Sequence, residues 1–258
     1  MNRAVVAIAY VDVYELSVSC PPYLGLDQTD AGRKGHTVKD ATLVTDPKYV
    51  GLDDNAVTWT ACGELCEFKD ENGVAKSKGE KVNYRNKGAD NASKSLNAEP
   101  LTTKVSIPGA EDVYCTTNFT VVKVDVSIGG TGEGGDETAP QNVIYSRELT
   151  KFAIDNMMPV KVTCEPKSLP GMELVWLTLP DNGELFELGE DGTAKSAKPY
   201  YRYNEIGGKS FGLLGRPVPT ETADGWAPKF KGGYVVVDHY SSGAKDKGAF
   251  KVVPPPPL

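Results

Sequence analysis

Trp59-Thr60-Ala61-Cys62-Gly63-Glu64-Leu65-Cys66-Glu67-Phe68, a turn at Asn72-Gly73, then Lys76-Ser77-Lys78 and Tyr84-Arg85-Asn86: this stretch has a second copy in the same chain. The copy reads Trp176-Leu177-Thr178, Gly183-Glu184-Leu185-Phe186-Glu187-Leu188, a turn at Asp191-Gly192, Lys195-Ser196-Ala197-Lys198 and Tyr201-Arg202-Tyr203-Asn204. Order, spacing and residue type recur together, so the chain reads as two copies of one supersecondary plan.

Outward from the first copy lie short alternating runs, each a strand. Ala41-Thr42-Leu43-Val44-Thr45-Asp46-Pro47 is closed by its proline, and Val57-Thr58-Trp59-Thr60 follows. Asn72-Gly73 supplies the positive φ angles of a tight hairpin. Residues 81–85, 101–107 and 113–128 add further strands, about seven in residues 39–128, with no convincing helix, which is the signature of an antiparallel sandwich. Around the second copy, Pro159-Val160-Lys161-Val162-Thr163-Cys164-Glu165-Pro166-Lys167 matches residues 42–48, and Phe250-Lys251-Val252-Val253 repeats Phe119-Thr120-Val121-Val122. Residues 207–232 read as an irregular insert holding Trp226.

Between the copies, Gly129-Gly130-Thr131-Gly132-Glu133-Gly134-Gly135-Asp136 has almost no apolar surface to offset the entropy of ordering it. It reads as a linker: its glycines precede no helix, and its acids lack the spacing of a calcium loop. The expected organisation is an N-terminal strand at 1–19, a linker at 20–38, a first domain at 39–128, a linker at 129–147 and a second domain at 148–258.

With 40% apolar and 24% charged residues over 258 positions the chain is globular, and its net charge of −7 with no basic cluster argues against a nucleic-acid partner. No run approaches the roughly 18 apolar residues of a membrane span. Residues 4–10 are apolar but run into the alternating 11–16, so they read as a strand rather than a signal core, with Met1 as a start on a trimmed chain. The expected location is exported: cell surface, outer membrane or extracellular. Cys62 and Cys66, read as strand residues, fall roughly 13 Å apart, too far to pair. Either one of them bridges Cys115, or Cys20, Cys62, Cys66, Cys115 and Cys164 are unpaired thiols.

The distance from Cys164 to Trp176 is similar to that between the cysteine and the central tryptophan of immunoglobulin-like domains. Thr45 stands in the cysteine's place in the first copy, and residues 234–240 hold no cysteine for the inter-sheet bridge. The whole chain resembles tandem bacterial immunoglobulin-like surface proteins, including the pilus-locus-associated ones of mucus-dwelling gut bacteria. That resemblance implies an all-β fold of two tandem immunoglobulin-like sandwiches joined by a Gly- and acid-rich linker. It also implies a non-enzymatic structural or adhesive role, with other surface proteins or host glycans as partners.

No catalytic residues, metal site or cofactor are expected. Only two histidines exist, His36 and His239, with no serine motif near either. Glu64 with Glu67 and Glu184 with Glu187 recur in both copies, which a duplicated scaffold explains better than two identical active sites. Trp59 and Trp176, among alternating apolar neighbours, are expected in the cores. Trp226, with Tyr201, Tyr203 and Phe211, is the candidate binding cluster and the basis of one alternative reading, a pair of carbohydrate-binding modules; the abrupt start and the proline stub at 254–257 prompt the other, accessory domains of a larger secreted enzyme. The N-terminal strand, left without a partner in the first copy, is expected to pair with a sheet edge of the first sandwich or of another molecule.

Overall fold

The computed structural model describes residues 13–28, 37–48, 52–87, 98–129, 140–166, 174–178, 183–195, 200–203, 210–216, 218–239 and 242–257, with the backbone alone at 174–178, 200–203, 218–220 and 226–229. His36 and most of the Gly- and acid-rich segment lie outside these residues.

The protein is an all-β sandwich fold. Its first half contains β1 (Glu15–Ser19), β2 (Tyr23–Gly25), β3 (Val38–Asp46), β4 (Val57–Ala61), β5 (Cys66–Glu67), β6 (Lys81–Asn86), β7 (Ala98–Val105) and β8 (Val113–Ile128). One sheet runs β1-β3-β6-β5; facing it, β4-β7-β8 is extended by β2, which joins β8 in parallel. This is the strand path of the ABED and CFG sheets of an immunoglobulin-like sandwich. Alternation puts Ala41, Leu43, Val82 and Tyr84 of one sheet against Trp59, Leu101, Val105 and Phe119 of the other, in one buried cluster. Trp59, 2% exposed, donates its indole N–H to the Gly79 carbonyl at 2.9 Å, so its one polar atom is satisfied inside the core.

The second half contains β9 (Gln141–Ile144), a short helix α1 (Lys151–Asp155), β10 (Met158–Glu165), β11 (Leu174–Thr178), β12 (Gly183–Leu188), β13 (Ala194–Lys195), β14 (Tyr200–Tyr203), β15 (Ser210–Gly215), the hairpin β16 (Val218–Thr222) and β17 (Gly225–Lys229), β18 (Gly232–His239) and β19 (Ala244–Val253). The path repeats: β8-β10-β15-β12 takes the place of β1-β3-β6-β5, and β11-β18-β19 with β9 in parallel takes the place of β4-β7-β8 with β2. Phe250 and Phe119, each 1% exposed, fill the two cores from equivalent strands.

Strand β8 belongs to both halves. Residues 113–120 pair with β7 and residues 123–128 with β10. Burial changes phase between the two segments: Cys115, Phe119 and Val121 point into the first core, whereas Val122, Val124, Val126 and Ile128 point into the second. Adjacent side chains of a strand lie on opposite faces, so the Val121-Val122 doublet lets one strand feed two cores without a break.

Four readings from sequence are corrected. Two stretches taken as linkers carry strands: β2 lies within residues 20–38 and β9 within 129–147, each hydrogen-bonded in parallel to the last strand of its half. The match of Tyr84-Arg85 to Tyr201-Arg202 does not survive as a spatial one. β14 pairs with β11, whereas β6 lies between β3 and β5, and the counterpart of β6 is β15. In the first half the place beside β4 is taken by residues 77–79, which bond to Trp59 and Val57; the second half lengthens that contact into β14 and moves the later strand downstream. Residues 207–232, taken as irregular, include β15 and a hairpin. Finally, Cys62 and Cys66 are paired, their Cα atoms 5.6 Å apart, because the chain turns through Gly63 at φ +74° instead of running as a strand. Cys20, Cys115 and Cys164 are free thiols.

The terminal segment β1 pairs antiparallel with β3 from Glu15↔Asp46 to Ser19↔Thr42. Residues 1–12 of the expected strand lie outside the described residues.

Candidate functional site

Of the aromatic cluster read from sequence, Phe211 alone has a described side chain. Phe211 is 3% exposed, a core residue and not a surface binding group. Its strand β15 lies between β12 and β10, and both of its faces are covered. Phe211 and Leu213 enter the second core, and Leu214 packs with Ala153, Met157 and Phe186 beneath α1. A side chain at Gly212 would place its β-carbon 2.7 Å from Met157, so the near-continuous apolar run Phe211-Gly212-Leu213-Leu214-Gly215 is that of a strand sealed on both sides. Tyr201 and Tyr203 stand in β14 opposite Trp176 and Leu174 of β11, and Trp226 in β17 opposite Glu221 of β16. The side chains of Trp176, Tyr201, Tyr203 and Trp226 are outside the described residues.

Two of the recurring carboxylates, Glu67 and Glu184, are held in ion pairs. Glu67 meets Arg85 (Nε 3.0 Å) and Lys69 (2.7 Å). Burial raises its pKa, but the hydrogen bonds and charges of Lys69 and Arg85 outweigh burial and hold it below the ordinary carboxylate value. Glu184 receives Arg216 (Nε 2.7 Å), whose guanidinium also reaches the carbonyls of Ser146 and Arg147. Among the described residues no cluster of His, Cys, Asp and Glu is grouped to hold a metal.

Polar chemistry concentrates instead at the junction of the halves. Beyond β2 the chain continues alongside β8 and the start of β19: Leu26 N–H donates to the Val122 carbonyl (2.8 Å), Gln28 N–H to Lys245 (2.7 Å), and Lys245 N–H back to Leu26 (2.9 Å). Gly25 N–H donates to the Ser242 carbonyl (2.9 Å), and the Gly25 carbonyl accepts from the buried Asn86 amide (2.5 Å). A β-carbon at Gly25 would overlap the Ala244 backbone, so the close approach requires glycine. From the other side, Thr37 Oγ1 donates to the Gly243 carbonyl (3.2 Å) and Gln28 Nε2 to Val124 (2.8 Å). These bonds join the turn between β18 and β19 of the second half to the trailing end of the first.

His239 closes this junction. It is fully buried, with Nδ1 2.5 Å from Ser242 Oγ and the ring edge-on to Tyr23 at 6.4 Å. Nε2 has no hydrogen-bond partner among the described residues. Burial pushes the imidazole below its ordinary pKa, Asp238 opposes and Lys39 reinforces the shift, so the ring is held neutral. Nearby, Asp246 accepts from the Val126 N–H (2.6 Å), yet burial raises its carboxyl to about 6. Sequence reading missed Gly25, Asn86, Ser242 and Gly243, since no local pattern marks residues that meet only across the two halves.

What this arrangement can do is mechanical. A continuous strand and a hydrogen-bonded turn hold the halves in register.

No family model and no curated protein matches the chain. Among solved structures, domains 5–6 of the S-layer protein SbsC align at 10% identity over 95% of this chain and 99% of that one, with a TM-score of 0.25. A protein of unknown function from Porphyromonas gingivalis aligns at 10% identity over 93% and 98%, also at 0.25. A longer SbsC fragment, domains 4–9, is covered over 32% of its length with a TM-score of 0.26. Such low scores carry no assignment.

Proposed function

We propose that the chain is a non-enzymatic, exported structural protein of the bacterial cell surface, a stiff two-part spacer related in kind to pilus-associated and adhesive surface proteins. The observation that carries this reading is β8, one unbroken strand laddered to β7 in one half and to β10 in the other. Domains that move against one another are commonly joined by flexible, polar linkers; here the joint is a shared strand reinforced by backbone bonds from residues 25–28. Tension along the chain is spread over hydrogen-bonded ladders on both sides of the joint. The Cys62–Cys66 pair suits an oxidising compartment, and Glu67 and Glu184 are engaged in ion pairs with Lys69, Arg85 and Arg216.

The test is location together with inertness. Antibody against the folded chain is expected to label intact cells of the source organism, and the purified chain is expected to release no sugar from a glycan panel. Labelling only after lysis, or turnover of any glycan, would overturn the reading.

A further inference from the structure

At the internal junction the leading end of the second half, its β18–β19 turn, sits on the trailing end of the first half, formed by Gly25, Leu26, Thr37 and Asn86. Because the strand paths of the halves correspond, the same two kinds of end recur at the extremes of the described molecule, with no described residue covering them. The leading end of the first half comprises the β7–β8 turn, residues 52–56 and the start of β1. The trailing end of the second half comprises α1, residues 145–149 and the turn before β18. Strand register fixes them as opposite ends: the antiparallel pairs Val105↔Val113 and Glu15↔Asp46 lie at one, the parallel pair Val253↔Ile144 and the antiparallel pair Gly183↔Gly215 at the other.

Exposed apolar surface gathers at these ends. Among the described residues ten large apolar side chains are exposed; apart from Val74, six lie at or beside the leading end and three, Leu149, Phe152 and Phe230, at the trailing end. Tyr114 is 61% exposed, Ile107 47% and Phe152 49%. At the leading end they border a groove of about 1050 Å³ between the two sheets, lined by Leu16, Leu52, Val105, Ile107, Pro108 and Tyr114. Concentrated apolar patches of this kind mark interaction sites, whereas single scattered residues do not. The rims differ in charge: Glu15, Asp46, Asp53, Asp54, Glu111 and Asp112, with Lys48 among them, are exposed at the leading end, and Arg147, Lys151, Lys231 and Lys251, with Glu148 and Asp155 among them, at the trailing end.

We propose that the chain stacks head to tail on a second copy of itself, the leading groove of one molecule receiving the Leu149–Phe152 end of the next. The contact brings together the same two kinds of end as the internal junction, without the close backbone approach at Gly25, whose counterpart here is Ile144. It is heterologous, so each added copy presents a new free end and the assembly grows as a filament. The proposal deepens the structural reading above and rests on it.

Sedimentation of wild type, Ile107→Asp, Phe152→Asp and their equimolar mixture tests it. Both side chains are exposed, so the variants are expected to keep the wild-type circular dichroism. Wild type is expected to gain average mass steadily with concentration, and each variant alone to lose that association completely. The mixture is expected to stop at dimers, since one intact leading end and one intact trailing end remain to meet. Three outcomes would overturn the proposal: wild type at single-chain mass throughout, association untouched by either substitution, or one variant alone still forming dimers through a symmetric contact. A monomeric protein that nonetheless labels intact cells would remove the stacking and leave the structural reading standing.

Discussion

Gly25 and Ile144 occupy equivalent places, each paired one residue beyond a fully buried core position, Leu24 or Val143, on the strand parallel to the last strand of its half. In the first half this place is glycine because the backbone of Ala244 lies against it. In the second half nothing described requires that approach, and a branched side chain fills the position. The strands they pair with differ likewise: past Val122 the first half's last strand continues into β10's sheet, whereas past Val253 the second half's runs into Pro254, which has no N–H to donate. The same plan is thus built once with the next half of its own chain pressed backbone to backbone on its trailing end and once without that close approach, and the differences between the copies record it.

The largest expected effects test whether the two cores are coupled through the shared strand. Phe119→Ala and Phe250→Ala should each cost about 3–5 kcal/mol, the usual loss for emptying a buried aromatic site. Hydrogen exchange is expected to fall in protection mainly in the mutated half, with β8 weakened by both substitutions. Should Phe250→Ala leave residues 113–120, on the first half's side of β8, as protected as in wild type, the strand would not couple the cores.

A smaller effect isolates the junction. Gly25→Ala forces the Ala244 backbone away, an overpacking cost of about 1–3 kcal/mol, while Ile144→Ala in the equivalent place should leave the joint intact. The check is protection of the Leu26, Gln28 and Lys245 amides, which is expected to drop for the first variant alone.

The smallest effect is a pH signature confined to the second half. Asp246, raised to about 6 when folded against an ordinary value of about 3.9, contributes stability that is present below its unfolded value and lost as pH rises through 6. His239, lowered by burial, contributes in the opposite sense: its share is present above about pH 6.5 and lost as pH falls through its lower folded value. The two oppose each other between about pH 4 and 6.5, so Asp246→Asn should be more stable than wild type at pH 7, with the gain vanishing near pH 4. Urea melts across that range check it; a gain that does not change with pH would mean that Asp246 is ionised without penalty.

Alternation and turn chemistry made much of the fold legible. Asn72-Gly73 with its flanking runs marked a hairpin because only certain residues accept positive φ, and the period of two in residues 101–107 marked a strand directly. Phe211 was misjudged because β15 is apolar on both faces, and the helix that covers its outer side lies more than fifty residues earlier in the chain. The pairing of Cys62 with Cys66 was missed because a strand period was assumed across Gly63.

The sequence by itself determined that the protein is built of short antiparallel strands around buried aromatics, since side-chain period and turn preference are local properties of the chain. Tertiary structure alone decided where one half ends and the other begins. Val121 and Val122 are chemically the same residue, and only the sheets that close over opposite faces of β8 make one of them part of the first core and the other part of the second.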